Sequence, residues 1–213
     1  EMSTSDWSSD VCSSDLGITG GIGCGKSAVS ALISEKGYKV IDADEISRAM
    51  TSGDGQLFAE LTGTFGDEVL GEEGKLDRKK LASVVFSDEE KKSLLQSIVT
   101  DRVIEEIKKK KSEAHTDGTK VLFIDAPLLF ECGAENMCDC VWLVTAEDDI
   151  RIKRVMLRDG ATRAEVEARI RNQMSQSDKM KLADEVIDNS GRPGDLRIQV
   201  EKDRKSTRLN SSH

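Results

Sequence analysis

The sequence predicts an α/β fold in three layers, a parallel sheet with helices on both faces, interrupted by an all-helical insert and carrying a helical lid. Three observations point there. Short apolar runs from Leu16, Tyr38, Val121, Val141 and Glu185 alternate with stretches of helical periodicity, and strands separated by helical crossovers pair in parallel. A glycine-rich string joins the first run to the first helix. The stretch from about 54 to 115 holds helical patterns only.

In chain order, a short strand from Leu16 runs into the glycine loop and then a helix over about Lys26–Lys36. Val29, Leu32 and Ile33 share one face of that helix and Gly37 stops it. The strand Tyr38–Asp42 ends in Asp42-Ala43-Asp44 and a short helix follows over Glu45–Met50. The insert, about 54–117, reads as helices around Leu57–Phe65 and Asp77–Phe86. Its long last helix is opened by the capping box Ser87-Asp88-Glu89-Glu90 and carries Leu95, Ile98, Val99, Val103 and Ile107 as one apolar stripe. Lys108–Lys111 at its end suit the helix dipole as a solvated cluster. Strands at Val121–Ile124, ending in Asp125, and at Val141–Thr145 resume the alternation. A helix over about 147–158 is broken by Gly160, and Thr162-Arg163-Ala164-Glu165 opens another to about Ser175. Glu185–Asp188 is the last strand. The predicted core is therefore 16–53 with 118–203, and the lid about 148–176.

Composition narrows the function. With 31 basic and 40 acidic residues in 213, the net charge is −9, the wrong sign for a sequence-independent nucleic-acid or anionic-membrane binder. No apolar run approaches the roughly 18 residues of a membrane span. Five cysteines, irregularly spaced in a chain of this length, favour a reducing cytoplasm over a disulfide framework. Cys132, Cys138 and Cys140 have no partner pair or histidine at zinc spacing. Residues 1–15 and 204–213 are polar and aperiodic; they are expected to be disordered, and both resemble translated sequencing-adapter read-through rather than native sequence.

The glycine string carries the chemistry. Gly20-Gly21-Ile22-Gly23-Cys24-Gly25-Lys26-Ser27 fits G-x-x-x-x-G-K-[ST] after an apolar stub and before a helix, the context of a nucleoside-triphosphate phosphate loop. Glycines let successive N–H groups turn towards phosphate oxygens, and the helix N-terminus adds positive potential. Lys26 offers a charge to the β- and γ-phosphates and Ser27 a hydroxyl to Mg²⁺. ATP with Mg²⁺ is the expected co-substrate. At Cys24 two readings stay open: a thiol whose pKa the helix N-terminus lowers, or a small residue tolerated in the loop.

Phosphoryl transfer also needs a carboxylate at the acceptor hydroxyl and further positive charge over the moving group. Asp44, two residues past the second strand, is the candidate base, and Asp42 competes with it; either can instead cap the following helix. Arg151, Arg154 and Arg158 fall at i, i+3, i+7, with Arg163 and Arg171 beyond Gly160. They read as a lid closing on triphosphate oxygens, or as a solvated face laced with Glu165 and Glu167. A switch-type GTPase is disfavoured because no N-K-x-D string occurs.

Gly17-Ile-Thr-Gly-Gly-Ile-Gly-Cys-Gly-Lys-Ser27, Val40-Ile-Asp-Ala-Asp44 with Arg48, Gly74-Lys-Leu-Asp-Arg78, Asp125-Ala-Pro-Leu-Leu-Phe-Glu131, Arg158-Asp159 and Val186-Ile-Asp-Asn189 together resemble the dephospho-CoA kinase family over about 16–200. That resemblance implies a phosphate-loop NTPase fold and ATP-dependent phosphorylation of the ribose 3′-hydroxyl of dephospho-CoA, with no nucleic acid, membrane or obligate protein partner. It implies Asp44 as base, Arg48, Arg78 and Leu129 on the acceptor side, and the insert as the domain closing over CoA. Lys26 and Ser27 fall on the triphosphate and Mg²⁺, Arg158 in the lid, and Asn189 beside adenine. Gly20, Gly23, Cys24, Gly25 and Ala28 complete the nucleotide set. Thr100-Asp101 stands where members often carry His-Pro, and Cys24 and Ala28 replace commoner Ser and Thr. The first strand is preceded by Cys12-Ser13-Ser14-Asp15, which predicts an unpaired carboxylate buried in a central strand. Two other readings remain at this stage: a kinase of another nucleoside or nucleotide, and an inactive remnant with a damaged first strand.

Overall fold

The computed structural model describes residues 14–200 apart from 53, 87 and 193; the expectations for 1–13, for 204–213 and for Ser87 as a cap lie outside the described residues, while Ser14 and Asp15, expected to be disordered, are in a strand. Five strands, β1 (Ser14–Thr19), β2 (Lys39–Asp42), β3 (Val121–Asp125), β4 (Cys140–Thr145) and β5 (Glu185–Asp188), form one sheet in the order β2-β3-β1-β4-β5. The ladders of β1 with β3 and β4, and of β4 with β5, are parallel. The chain divides into two compact units, residues 42–110 and the remainder.

In the sheet-bearing unit, β1 is central, so Leu16 and Ile18 are buried, and with Val121, Phe123, Trp142, Val144 and Ile187 they form the main core. Helix α1 (Lys26–Glu35) adds Val29 and Ile33, as its periodicity predicts. Phe123 lies between Tyr38 and Trp142, edge to face at 5.7 and 5.5 Å, a preferred aromatic geometry. The chain from 194 to 200 is helical and inserts Leu196 and Val200 into the same core, so apolar packing continues to the end of the described residues.

The other unit holds α2 (Ala43–Met50), α3 (Phe58–Phe65), α4 (Arg78–Phe86) and most of α5 (Glu89–Thr116). Leu57, Leu61, Phe65, Val69, Leu81 and Val85 are buried there. Asp88 accepts from the N–H groups of Glu90 and Lys91, both at 3.0 Å, and so caps α5. The α5 stripe is graded: Leu95, Ile98 and Val99 are half-buried, while Val103 and Ile107 are buried.

The defective first strand is not found. The strand includes Ser14 and Asp15, and Asp15 is buried but not unpaired. His115 Nε2 lies 2.9 Å from one of its carboxylate oxygens and Lys111 Nζ 2.7 Å from the other. Its backbone N–H donates to Asp139 at 2.7 Å. Lys111 and His115 are one helical turn apart and so share a face of the last turns of α5. Lys111 also donates to the Met137 carbonyl at 2.8 Å. The lysine run is therefore not uniformly a solvated end: Lys109 and Lys110 pair with Glu106, but Lys111 turns inward.

Removing both partners of this buried carboxylate, as in the Lys111→Met/His115→Ala double variant, should destabilise the protein by about 3 kcal/mol in chemical denaturation. Adding Asp15→Val to that double variant should recover most of the loss, since an apolar residue there needs no partners.

Candidate active site

The phosphate loop leaves the C-terminal end of β1, and its backbone geometry explains the glycines. Gly23 and Gly25 have φ of 80° and 86°, a left-handed conformation that side chains resist. Gly25 is also the N-cap of α1, so the loop ends where the helix N–H groups are unpaired. Gly20 follows β1 directly, and Ser27 and Ala28 are exposed on the first turn of α1.

A loop that points its N–H groups inward turns its carbonyls outward, and buried carbonyls need donors. Three consecutive ones receive side chains. Arg151 Nε donates to Ile22 at 3.1 Å, Arg154 Nη1 reaches Gly23 at 3.5 Å, and Asn189 Nδ2 donates to Cys24 at 2.8 Å. Arg151 and Arg154 lie on α6 (Asp148–Asp159). Arg154 also donates to the Asn189 carbonyl at 2.9 Å, which closes the set into a network. Gln173, just past α7 (Arg163–Arg171), accepts from the Ile22 N–H at 2.9 Å.

The five arginines divide, with Arg171 exposed at the end of α7. Arg151 is buried beneath the loop and holds Asp148 at 2.8 Å, and Arg154 is committed to the loop and to Asn189. Arg158 is largely exposed and forks onto Asp159 at 2.7 and 3.1 Å, while Arg169 reaches the same carboxylate at 2.9 Å. These hydrogen bonds, Arg158 first, hold the Asp159 carboxyl below its ordinary range. Arg163 pairs with Asp149 and Glu167, the laced-face arrangement. The capping box at Thr162 is present, with both of its bonds to Glu165.

Lys26 does not stand free in the loop. Its amine contacts Asp125, at the end of β3, and the other Asp125 oxygen accepts from Ser30 at 2.5 Å. Asp125 is aligned with Ile18 in the β1–β3 ladder, one residue before the loop's approach, which is why it reaches the lysine. Its position at the end of an apolar run was the available sequence signal, and residue types alone assigned it no role.

Cys24 is buried and its thiol points to Gln176 Oε1 at 3.8 Å. Burial pushes the thiol up, against the opposing charge of Arg151, so the lowered-pKa reading is overturned. The neighbouring charges and backbone hydrogen bonds are outweighed by loss of water around the sulfur. Leu129 is fully buried, with its side chain against Gly17. Asn189, expected beside adenine, has its amide engaged by the loop carbonyl.

In the helical unit, Asp42 resolves the capping question: its side chain accepts from Glu45 N at 3.0 Å as N-cap of α2. Asp44 is exposed on the first turn of that helix and has no hydrogen bond or ion pair among the described residues. Arg48 is exposed one turn later, and Arg78 opens α4.

A parallel sheet, a glycine loop at the end of its central strand, and a lysine and hydroxyl at the head of the following helix define a phosphate-loop kinase. A family model described as dephospho-CoA kinase matches residues 15–195. A dephospho-CoA kinase from Carboxydothermus hydrogenoformans is 42% identical over 185 residues, covering 87% of this chain and 90% of the relative. Among solved structures, one from Thermus thermophilus is 37% identical with a TM-score of 0.79, covering 92% of this chain and 98% of its own. A dephospho-CoA kinase from Campylobacter jejuni is 27% identical with a TM-score of 0.70, covering 91% and 96%. The chain belongs to the dephospho-CoA kinase family, and it is a phosphotransferase.

Two outcomes test this geometry. Arg151→Met leaves the Ile22 carbonyl without its donor and should weaken ATP binding about tenfold by calorimetry, the equivalent of one charge-assisted hydrogen bond. Because the thiolate is the reactive form, Cys24 should resist alkylation at neutral pH in the native protein and react on unfolding. Cys138, pushed up to about 12 by burial, should do the same.

Proposed function

We propose that this chain transfers the γ-phosphoryl group of ATP to the ribose 3′-hydroxyl of dephospho-CoA, giving coenzyme A and ADP. The observation that carries this reading is the phosphate loop with Lys26 braced by Asp125, in a chain matched to the family from 15 to 195. The loop N–H groups and the α1 N-terminus bind the triphosphate, and Lys26, held by Asp125, extends its amine to the transferring phosphoryl group. Gly20, Gly23, Cys24, Gly25, Ser27 and Ala28 form the cradle.

Asp44 is the general base that orients and deprotonates the acceptor hydroxyl. Its lack of a competing partner among the described residues supports that role over Asp42, which caps its helix. Arg48 and Arg78 bind the acceptor, and Leu129 contributes by fixing the turn after β3. Arg158 releases Asp159 to reach the triphosphate, and Asn189 shapes the adenine side of the loop.

Mg²⁺ fits the residues present. The exposed Ser27 hydroxyl and the Asp125 carboxylate are hard oxygen donors, and this ion is commonly held by one or two protein oxygens plus phosphates and water. When bound, it would neutralise charge on the β- and γ-phosphates. Among the described residues no helix is long and apolar enough to cross a membrane. The reading places the enzyme in the cytoplasm, acting on small molecules without an obligate protein partner.

Coupled ATP turnover on the purified chain should show ADP release that depends on both dephospho-CoA and Mg²⁺. Release only with some other nucleoside or nucleotide would replace this acceptor. Asp44→Asn should lower kcat by at least about a hundredfold, the usual scale of a lost general base, with ATP affinity within a few-fold. A variant keeping most of its turnover would remove Asp44 from the role.

A further inference from the structure

Helix α8 (Gln176–Leu182) carries a lysine that neither the loop nor the proposed chemistry uses. Lys179 is among the most deeply buried side chains of the protein. Its amine is 2.8 Å from a Glu131 carboxylate oxygen and donates to the Pro127 carbonyl at 3.1 Å. It therefore ties together the two ends of the turn that follows β3. The same Glu131 oxygen accepts the Met174 N–H at 3.2 Å, and Thr19, at the end of β1, donates to the Pro127 carbonyl at 3.3 Å.

The residues that reach out from this segment are evenly spaced. Gln173 accepts from Ile22, Gln176 accepts from the Cys24 thiol, and Lys179 takes the turn at 127–131. Gln176 and Lys179 are one turn apart on α8, and Gln173 lies in the non-helical stretch just before it. One short segment thus braces the phosphate loop on one flank and the post-β3 turn on the other. That turn begins two residues after Asp125, which holds Lys26.

A buried ion pair is a poor way to gain stability, because apolar residues of the same volume do as well or better. Its geometric directionality is what an apolar substitute lacks. We propose that Lys179 and Glu131 are a positioning pair for phosphoryl transfer. By fixing the turn after β3 they fix Asp125, and through it the place of the Lys26 amine when the phosphoryl group moves. The inference rests on the kinase reading above. ATP affinity in the ground state comes from loop N–H groups and the α1 N-terminus, which the pair does not touch. Its loss therefore falls on kcat rather than on KM for ATP.

The test is steady-state kinetics with ATP, Mg²⁺ and dephospho-CoA on the full chain, with a thermal melt of each variant. Lys179→Met should lower kcat about tenfold or more and leave KM for ATP within about twofold. Lys179→Arg, which keeps the charge and donors, should recover kcat to within about threefold of the parent. Glu131→Gln, whose side chain is partly exposed and isosteric, should reproduce the kcat loss and decides the matter if Lys179→Met does not fold. A folded Lys179→Met or Glu131→Gln with unchanged kcat overturns the proposal. So does a loss that Lys179→Arg fails to recover, or one shared equally by kcat and KM for ATP. If the parent enzyme itself shows no turnover with dephospho-CoA, it is the kinase reading that fails.

Discussion

The structure turns on how a phosphate loop disposes of its own carbonyls. A backbone that converges its N–H groups on an anion must diverge its C=O groups, and in a protein interior those oxygens cannot be left to water. Here Ile22, Gly23 and Cys24 hand their carbonyls to Arg151, Arg154 and Asn189. The donors come from α6 and from the end of β5, so the loop is held by the elements that follow β4 rather than by its own helix. The sheet order matters for this reason. With β1 between β3 and β4, the loop emerges between Asp125 on one side and α6 on the other.

The same centrality makes β1 demanding. A strand buried on both faces normally reads as an unbroken apolar run, and Asp15 breaks it. The chain compensates by bringing a lysine and a histidine from the final turns of α5 against the one carboxylate. This satisfies the charge and also anchors the end of that helix to the sheet, where Lys111 bonds the Met137 carbonyl as well. An acid in a central strand is tolerable only as part of a fixed set of neighbours.

What was legible in the sequence follows from how far each interaction reaches. The loop, the alternation of strands and helices and the Thr162–Glu165 box are written within a few residues and stand as read, but the helix opened by that box ends at Arg171 rather than about Ser175, and α8 after it was not foreseen. The partners of Asp15 lie about a hundred positions away and had no local signal, so a satisfied carboxylate looked like a defect. Spacing placed Arg151, Arg154 and Arg158 on one helix face but could not say how deep each would sit. Cys24 shows the same limit. Its place at a helix N-terminus was visible, while its burial, which sets the sign of the pKa change, was not. Lys179 carried no signal in the sequence, and only the fold reveals that it is enclosed.

Depth sorts the arginines by what they are able to do. Arg151 cannot leave the loop without stranding a buried carbonyl and its own charge, a penalty that fixes it in place. Arg158 and Arg169 share one Asp159 carboxylate at the surface, where such pairs contribute little in water. Parting Arg158 from Asp159 therefore costs little, since the carboxylate still has Arg169. One helix thus presents a fixed arginine at its start and an exchangeable one at its end. Gly160 follows at a φ of 65° and caps α6, so the exchangeable residue sits in the last turn before the chain changes direction into α7. Burial alone distinguishes the two.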